Sequence, residues 1–278
     1  MNRYDAAGDI KRSRYPFWMP LIILLLGGVM LVAGLVSIRK TDMKKYLGNF
    51  SADEVVEGAD ITELDIELGA AEITIAKSND DDIHIEAEGI PYKIHQRTER
   101  KRLFIYSDDK DLGLTNIWIP IVSKKSLNGK ITILIPDKEY SFIDIDCGIC
   151  KLKADDITCD KLKLDVGAAE VDLSGITCTG NAEFDIGMAD VDMKNSSLFK
   201  SDFDIGMGEF DYAGTIEGET MIDCGMGDAD FVINGSRSDY HVTKSGKVSI
   251  KGSGSDNSDG IRIDADSSAA KIKLEFKD

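Results

Sequence analysis

KLKLDVGAAEVDL occupies residues 161–173 and returns, with substitutions, as NAEFDIGMADVDM at 181–193, SDFDIGMGEFDY at 201–212 and TMIDCGMGDADFVI at 220–233. Each copy is a short apolar–polar alternation, a glycine, and a second short alternation. With Gly148, Gly167, Gly187, Gly206 and Gly225 as markers, the copies step by 19, 20, 19 and 19 residues. A fixed period of that length belongs to stacked, solenoid-like architectures, in which one unit cannot close a core alone and its neighbours complete it. The expected unit is strand, glycine bend, strand, and the expected class is all-β.

Side chains alternate across a strand. Leu162, Leu164 and Val166 therefore face one way, Lys161, Lys163 and Asp165 the other, and Val171 and Leu173 return to the first side. Aligned copies turn this into columns. Cys147, Val166, Ile186, Ile205 and Cys224 form an inward column just before the glycine. Ile149, Ala168, Met188, Met207 and Met226 are assigned to a second inward column just after it, and Cys150, Ala169, Ala189, Gly208 and Gly227 to a third of small residues. One methionine per coil fits corner packing better than a copper site.

The outward columns are acidic and supply the candidate ligand-binding residues. Asp146, Asp165, Asp185, Asp204 and Asp223 stand two residues before each glycine; Glu170, Asp190, Glu209 and Asp228 stand three after it; Asp172, Asp192, Asp211 and Asp230 stand five after it. Like carboxylates at coil spacing repel by roughly 1 kcal/mol per pair in water, and several-fold more where the effective dielectric falls toward about 20. Solvation and salt screening can absorb that cost. Bound Ca²⁺, which takes oxygen ligands, is a second account, and a cationic peptide or envelope polymer a third.

Charge is unevenly distributed. The formal net charge is -17, and residues 141–233 hold 21 acidic and 6 basic side chains, a net of -15, whereas 92–130 hold 9 basic and 4 acidic, a net of +5. Residues 17–38 contain no charged residue, and 22 residues of helix span a hydrocarbon core roughly 30 Å thick. They read as an uncleaved signal anchor, because a cleaved signal peptide has a shorter apolar region and a small-residue cleavage site. Basic residues flank both sides, so the positive-inside rule does not orient the span. A cytoplasmic tail at 1–16 and an extracytoplasmic C-terminal domain are expected, since the parts able to fold lie after the span. Residues 39–60 read as a juxtamembrane connector with a short helix, and 61–278 as the repeat domain. Within it ELDIELGAAEITI (63–75), IHIEAEG (83–89), RLFIYSD (102–108) and KITILIPD (130–137) read as strands, 109–130 as an inserted loop and 252–260 as a flexible loop.

The five cysteines include one CxxC pair, Cys147 and Cys150, whose spacing suggests zinc or thiol chemistry. Their positions in apolar and small-residue columns favour a structural role. Cys159 and Cys178 fall at equivalent turns of adjacent coils, a separation compatible with a disulfide. His84, His95 and His241 fall in no metal or triad spacing, and no phosphate-binding glycine loop, GxSxG, HExxH or nucleic-acid motif occurs. The carboxylates form ladders rather than a pair in contrasting environments, as acid–base catalysis needs. No catalytic residue and no required cofactor are assigned.

An apolar N-terminal span, then LDIELGAAEITI, then KITILIPD followed closely by FIDIDCG, and a run of xDIGxGDxD repeats over residues 64–276 resembles the bacterial putative-adhesin family of β-strand-repeat proteins. The resemblance implies a right-handed β-solenoid exposed outside the cytoplasmic membrane, with no catalytic residues to carry over; some relatives are associated with envelope-stress responses to antimicrobial peptides. The inserted loop departs from the regular pattern. The expected function is a membrane-anchored, non-enzymatic module that binds envelope ligands or cationic peptides. The alternatives are a purely structural spacer and, less well supported, a Ca²⁺-dependent polysaccharide-active β-helix enzyme, which would need basic residues and a groove beside its metal.

Overall fold

Alternating burial runs through the repeats as the spacing predicts, and a computed structural model joins them into one 16-stranded sheet among the described residues, 50–107 and 129–277. The expected tail at 1–16, the span at 17–38, residues 39–49 of the connector, Asp108 at the end of the 102–108 strand and 109–128 of the inserted loop lie outside the described residues. Among the described residues no helix is long and apolar enough to cross a membrane.

Ahead of the repeats lie β1 (Phe50–Glu57), β2 (Glu63–Leu68), β3 (Ala71–Lys77), β4 (Asp82–Ile90), β5 (Ile94–Glu99), β6 (Arg102–Ser107), β7 (Lys130–Ile135) and the two-residue β8 (Glu139–Tyr140). The repeats are β9 (Phe142–Asp155), β10 (Thr158–Ser174), β11 (Thr177–Ile216), which spans two coils, and β12 (Thr220–Asn234). At the C-terminal end come β13 (Tyr240–Ser245), β14 (Val248–Lys251), β15 (Ile261–Ser267) and β16 (Lys271–Lys277).

Pairing sorts into two rows that share the long repeat strands. The halves before the marker glycines continue β5–β6–β2 at one end and β15–β13 at the other. The halves after them continue β1–β4–β7–β3 and β16–β14. The repeats pair in parallel and in register, Leu164 against Ile145 and Phe184, Asp165 against Asp146 and Asp185. Antiparallel pairing appears only toward the N-terminal end among the described residues, at β1–β4, β4–β7 and β5–β6. Phe50–Glu57, expected as part of the connector and its short helix, is therefore an edge strand of the domain.

Volume is exchanged between adjoining inward columns. As one shrinks from Ile143 and Leu162 to Ala182 and Ser201, its neighbour grows from Ile145 and Leu164 to Phe184 and Phe203; beside Thr220 it returns to Ile222. Phe184 and Phe203 stack at 4.7 Å between centroids, Phe210 and Phe231 at 5.6 Å, and Phe203 meets Phe210 edge-on at 5.2 Å. The buried hydroxyls that this exchange introduces satisfy each other, Ser201 Oγ and Thr220 Oγ1 lying 2.8 Å apart. Burying an isoleucine, leucine or phenylalanine of these columns is worth roughly 1.5–3 kcal/mol relative to leaving it exposed.

The marker glycines are not turns. β10 and β11 run through Gly167, Gly187 and Gly206 without interruption, and none of the three has a positive φ. A side chain there would collide with the coil before: a Cβ on Gly167, Gly187, Gly206 or Gly225 would lie 2.7 Å from the carbonyl oxygen of the preceding marker glycine. Gly148 is the exception, since a Cβ on it would meet nothing within 4 Å. The left-handed turns fall eight residues later, at Asp156 (φ 56°), Gly175 (φ 67°) and Asn195 (φ 52°), residue types that tolerate that region.

The 252–260 loop is pinned rather than free. Asp256 accepts hydrogen bonds from the Val242 N–H at 3.0 Å and from the buried Arg237 guanidinium, and faces His241 Nδ1 at 2.8 Å; the Asn257 N–H donates to the Tyr240 carbonyl. All five cysteines are buried free thiols. Cys159 and Cys178 are register partners, as the spacing predicts, and Cys178 Sγ donates to the Asp160 carbonyl at 3.3 Å instead of bridging.

The glycine column makes a position-specific prediction. Gly187→Ala should cost about 1–3 kcal/mol of unfolding free energy through overpacking against fixed backbone, whereas Gly148→Ala should be neutral or slightly stabilising. Equilibrium urea unfolding of the two variants checks this; equal costs would contradict it.

Candidate functional site

The three acidic columns form as rows across the repeat strands, because parallel register carries each outward residue onto its counterpart one coil away. Asp165 lies between Asp146 and Asp185, and Asp204 opposite Asp223. This row is longer than the repeats alone suggest: Glu67 of β2 pairs with Asp146, and Asp266 of β15 with Asp223. Its seven positions include no basic residue. Glu67 stands two residues before Gly69, as the repeat pattern requires, but its coil is separated from the regular array by β4–β8, and the unit of Asp266 has serines and alanines in place of the glycine.

The other two columns are interrupted by lysines, and beyond Lys151 the second continues to Glu72. Glu170 lies between Lys151 and Asp190, and Asp228 between Glu209 and Lys271. Asp172 lies between Lys153 and Asp192, and Asp230 between Asp211 and Lys273. Lys151 Nζ reaches Glu170 at 3.0 Å and Lys273 Nζ reaches Asp230 at 3.3 Å, while Lys153 turns to Asp155 at 2.8 Å. Lys194 pairs with Asp192 in mid-column. Columns two and three thus include lysines in their own rows, whereas column one is acidic at every strand position from Glu67 to Asp266.

A mixed row adjoins column one. Asp144 lies between Asp65 and Lys163, Glu183 pairs with Lys163, and Asp202 lies near Glu183, Asp204 and Asp223. Burial, reinforced by those neighbouring carboxylates, raises the Asp202 carboxyl above its ordinary value; burial with Asp230 and Asp192 does the same to Asp211, and burial to Asp144. These three groups are harder to ionise in the folded chain than outside it.

Register spreads the carboxylates along lines rather than around a point. Among the described residues no three His, Cys, Asp or Glu side chains are grouped so as to hold a metal ion. The Ca²⁺ account of the columns, and the Zn²⁺ reading of Cys147 and Cys150, have no such group behind them. An apolar void lined by Ile145, Ala154, Ile157, Leu162, Leu164, Leu173 and Ile176 measures about 10 Å³, on the order of what one water needs. It offers no room for a substrate.

One assignment reverses. Met188, Met207 and Met226 are 56%, 39% and 48% exposed, so their column faces outward and packs no corner. The alternation breaks at each glycine: Val166 is buried, Gly167 and Ala168 both turn toward the surface, and burial resumes by Val171. Two consecutive outward residues shift the parity, and a strict two-residue period misses that. The adjoining small-residue column does run inward at Cys150 and Ala189, and Gly208 and Gly227 occupy it with φ of 137° and 120°.

A family model described as Toastrack DUF4097 matches residues 61–278. The chain belongs to the Toastrack DUF4097 family. This Toastrack chain is similar in sequence to no curated protein. Among solved structures it is similar to a "putative cell adhesion protein" of Clostridium sporogenes, at 15% identity and a TM-score of 0.33, covering 83% of this chain and all of that one. It is also similar to a "putative adhesin" of Bacteroides fragilis, at 16% identity and a TM-score of 0.36 over 82% of this chain and 97% of that one. A "putative lipid binding protein" of Parabacteroides distasonis matches at 12% identity and a TM-score of 0.36, over 81% and 96%. The family match over residues 61–278 bears out the expected resemblance to a β-strand-repeat family, and the single sheet bears out the all-β, solenoid-like class.

The acidic rows set the direction of the pH dependence. A carboxyl raised in the folded state opposes folding above its folded value, and the penalty lifts as pH falls through that value toward the ordinary 3.8. His84, raised from 6.5 by its hydrogen bond with Asp80, adds stability below 6.5 that is lost as pH rises through its folded value. Against these, Asp80 is held down to about 2, chiefly by His84, and Asp256 is held well below the usual carboxylate range, chiefly by the Val242 N–H; their support disappears below 3.8. The melting temperature should therefore peak on the acid side of neutrality and above pH 3.8. Asp211→Asn should raise it at pH 7 and flatten the rise on acidification. Thermal denaturation across pH 4–8 checks both.

Proposed function

We propose that this protein is a membrane-anchored, extracytoplasmic and non-enzymatic module whose acidic columns hold cationic peptides or a cationic envelope polymer. In this reading residues 17–38 are the anchor, 1–16 a cytoplasmic tail, and the repeats wind as a right-handed solenoid. The observation that carries the proposal is column one: seven acidic positions in register, with no basic residue among them. Such a row concentrates negative potential along a line and raises the local concentration of any polycation. Lys151, Lys271 and Lys273 interrupt the other two rows, so column one is the principal contact and columns two and three its flank.

Individual exposed ion pairs are weak, about 0.2–1 kcal/mol each, so affinity has to come from several at once. Changing Asp165, Asp185 and Asp204 together to Asn should weaken binding of a basic antimicrobial peptide to the full-length protein by roughly tenfold, with a smaller salt dependence than in the unaltered protein. The same variant should melt no lower, because it removes like-charge repulsion, and this separates lost binding from misfolding. Unchanged affinity would overturn the acidic-surface mechanism. Protease accessibility on intact cells checks the topology, which fails if the repeat domain is protected.

A further inference from the structure

We propose that Met188, Met207 and Met226 form a binding ladder for a soft monovalent cation, Cu(I), with Ag(I) as its redox-inert equivalent. Their positions are equivalent on three successive coils. Met188 is the register partner of Ala168, and Met207 of Met226. The stacking of Gly206 on Gly187 and of Gly225 on Gly206 carries the column through all three. Neighbouring thioethers therefore start from Cα atoms about 4.8 Å apart, and methionine's three rotatable bonds let their sulfurs converge.

Packing does not account for these side chains. Met193, on the inward side of the same strand as Met188 and Met207, is wholly buried, whereas the three ladder residues are 56%, 39% and 48% exposed. The ladder is also bounded. Ala168 precedes it, and Ala269, whose N–H donates to the Gly225 carbonyl, follows it. Three long thioethers thus stand between two alanines, beside a glycine row that leaves their approach open.

Thioether sulfur is uncharged and polarisable, and it selects Cu(I) over Ca²⁺ or Mg²⁺, which prefer oxygen. The surroundings favour a cation. Asp185, Asp204 and Asp223 stand three residues before the methionines on one side, and Asp190, Glu209 and Asp228 two residues after them on the other. The acidic columns supply long-range attraction, and the sulfurs supply the choice of ion. The choice of ion does not rest on the peptide-binding reading: it needs the methionines, not Asp165.

The full-length protein, labelled with ¹³C at the methionine methyls and titrated with AgNO₃ in chloride-free buffer, provides the test. The resonances of Met188, Met207 and Met226, assigned through single Met→Leu variants, should shift together and saturate near about one equivalent of Ag(I), with Met193 unmoved. Ca²⁺ should shift none of them comparably. The triple variant M188L/M207L/M226L should keep the melting temperature and bind Ag(I) at least ~10-fold more weakly, and Cu(I) under ascorbate, in competition with a Cu(I) chelator, should show the same loss. Stationary ladder resonances overturn the proposal. So does a triple variant that binds as tightly as the unaltered protein, which would assign the ion to other sulfurs such as the exposed Met221 or the cysteines, or an equal response to Ca²⁺.

Discussion

Parallel register places every repeat residue about 4.8 Å from its counterpart one coil away, and most of the molecule follows from that spacing. Whatever one unit carries, the stack multiplies. An inward phenylalanine becomes the Phe184–Phe203 stack, and an outward aspartate becomes a row of negative charge. A backbone carbonyl 2.7 Å from where a Cβ would stand becomes a demand for glycine at Gly167, Gly187, Gly206 and Gly225. Gly148 shows the converse, because a Cβ there would meet nothing within 4 Å.

The same multiplication sets interior against surface. Each coil buries several side chains worth roughly 1.5–3 kcal/mol apiece, while each solvated pair of stacked carboxylates costs roughly 1 kcal/mol. The interior wins, so the stack can carry a surface of one sign without a ligand to offset it. Partial burial leaves its mark only where the rows lean on one another, raising Asp144, Asp202 and Asp211. Lysines interrupt columns two and three, whereas the row from Glu67 to Asp266 is acidic at each of its seven strand positions.

The ends of the stack obey different rules, because a terminal coil has only one neighbour. At the N-terminal end the pattern changes to antiparallel strands, with β1 as an edge and the β5–β6 hairpin carrying Arg97 and Arg102 over Phe104 at 4.9 and 5.8 Å. At the other end the chain leaves the sheet between β14 and β15 and is tied back through Asp256, Arg237 and His241. A run of glycine, serine and aspartate at 252–260 looks flexible by composition, yet one carboxylate with three partners holds it.

The 19–20-residue period, the inward columns through Val166 and Phe203, the strands at 63–75 and 130–137, and the coil-by-coil alignment of Asp165 with Asp185 were all legible from the amino-acid order, because side-chain alternation and fixed spacing are local properties. Contacts between segments far apart in the chain were not. Pairing of β2 and β15 with the repeats extended column one to Glu67 and Asp266, and pairing with β4 made residues 50–57 a strand. The outward turn of Gly167 and Ala168 exposed the methionines that a strict alternation buries. By itself the sequence determined the repeat, its acidity and its all-β class; the tertiary structure decided which residues reach solvent at each corner and where each column stops, because both depend on the backbone of the adjoining coil.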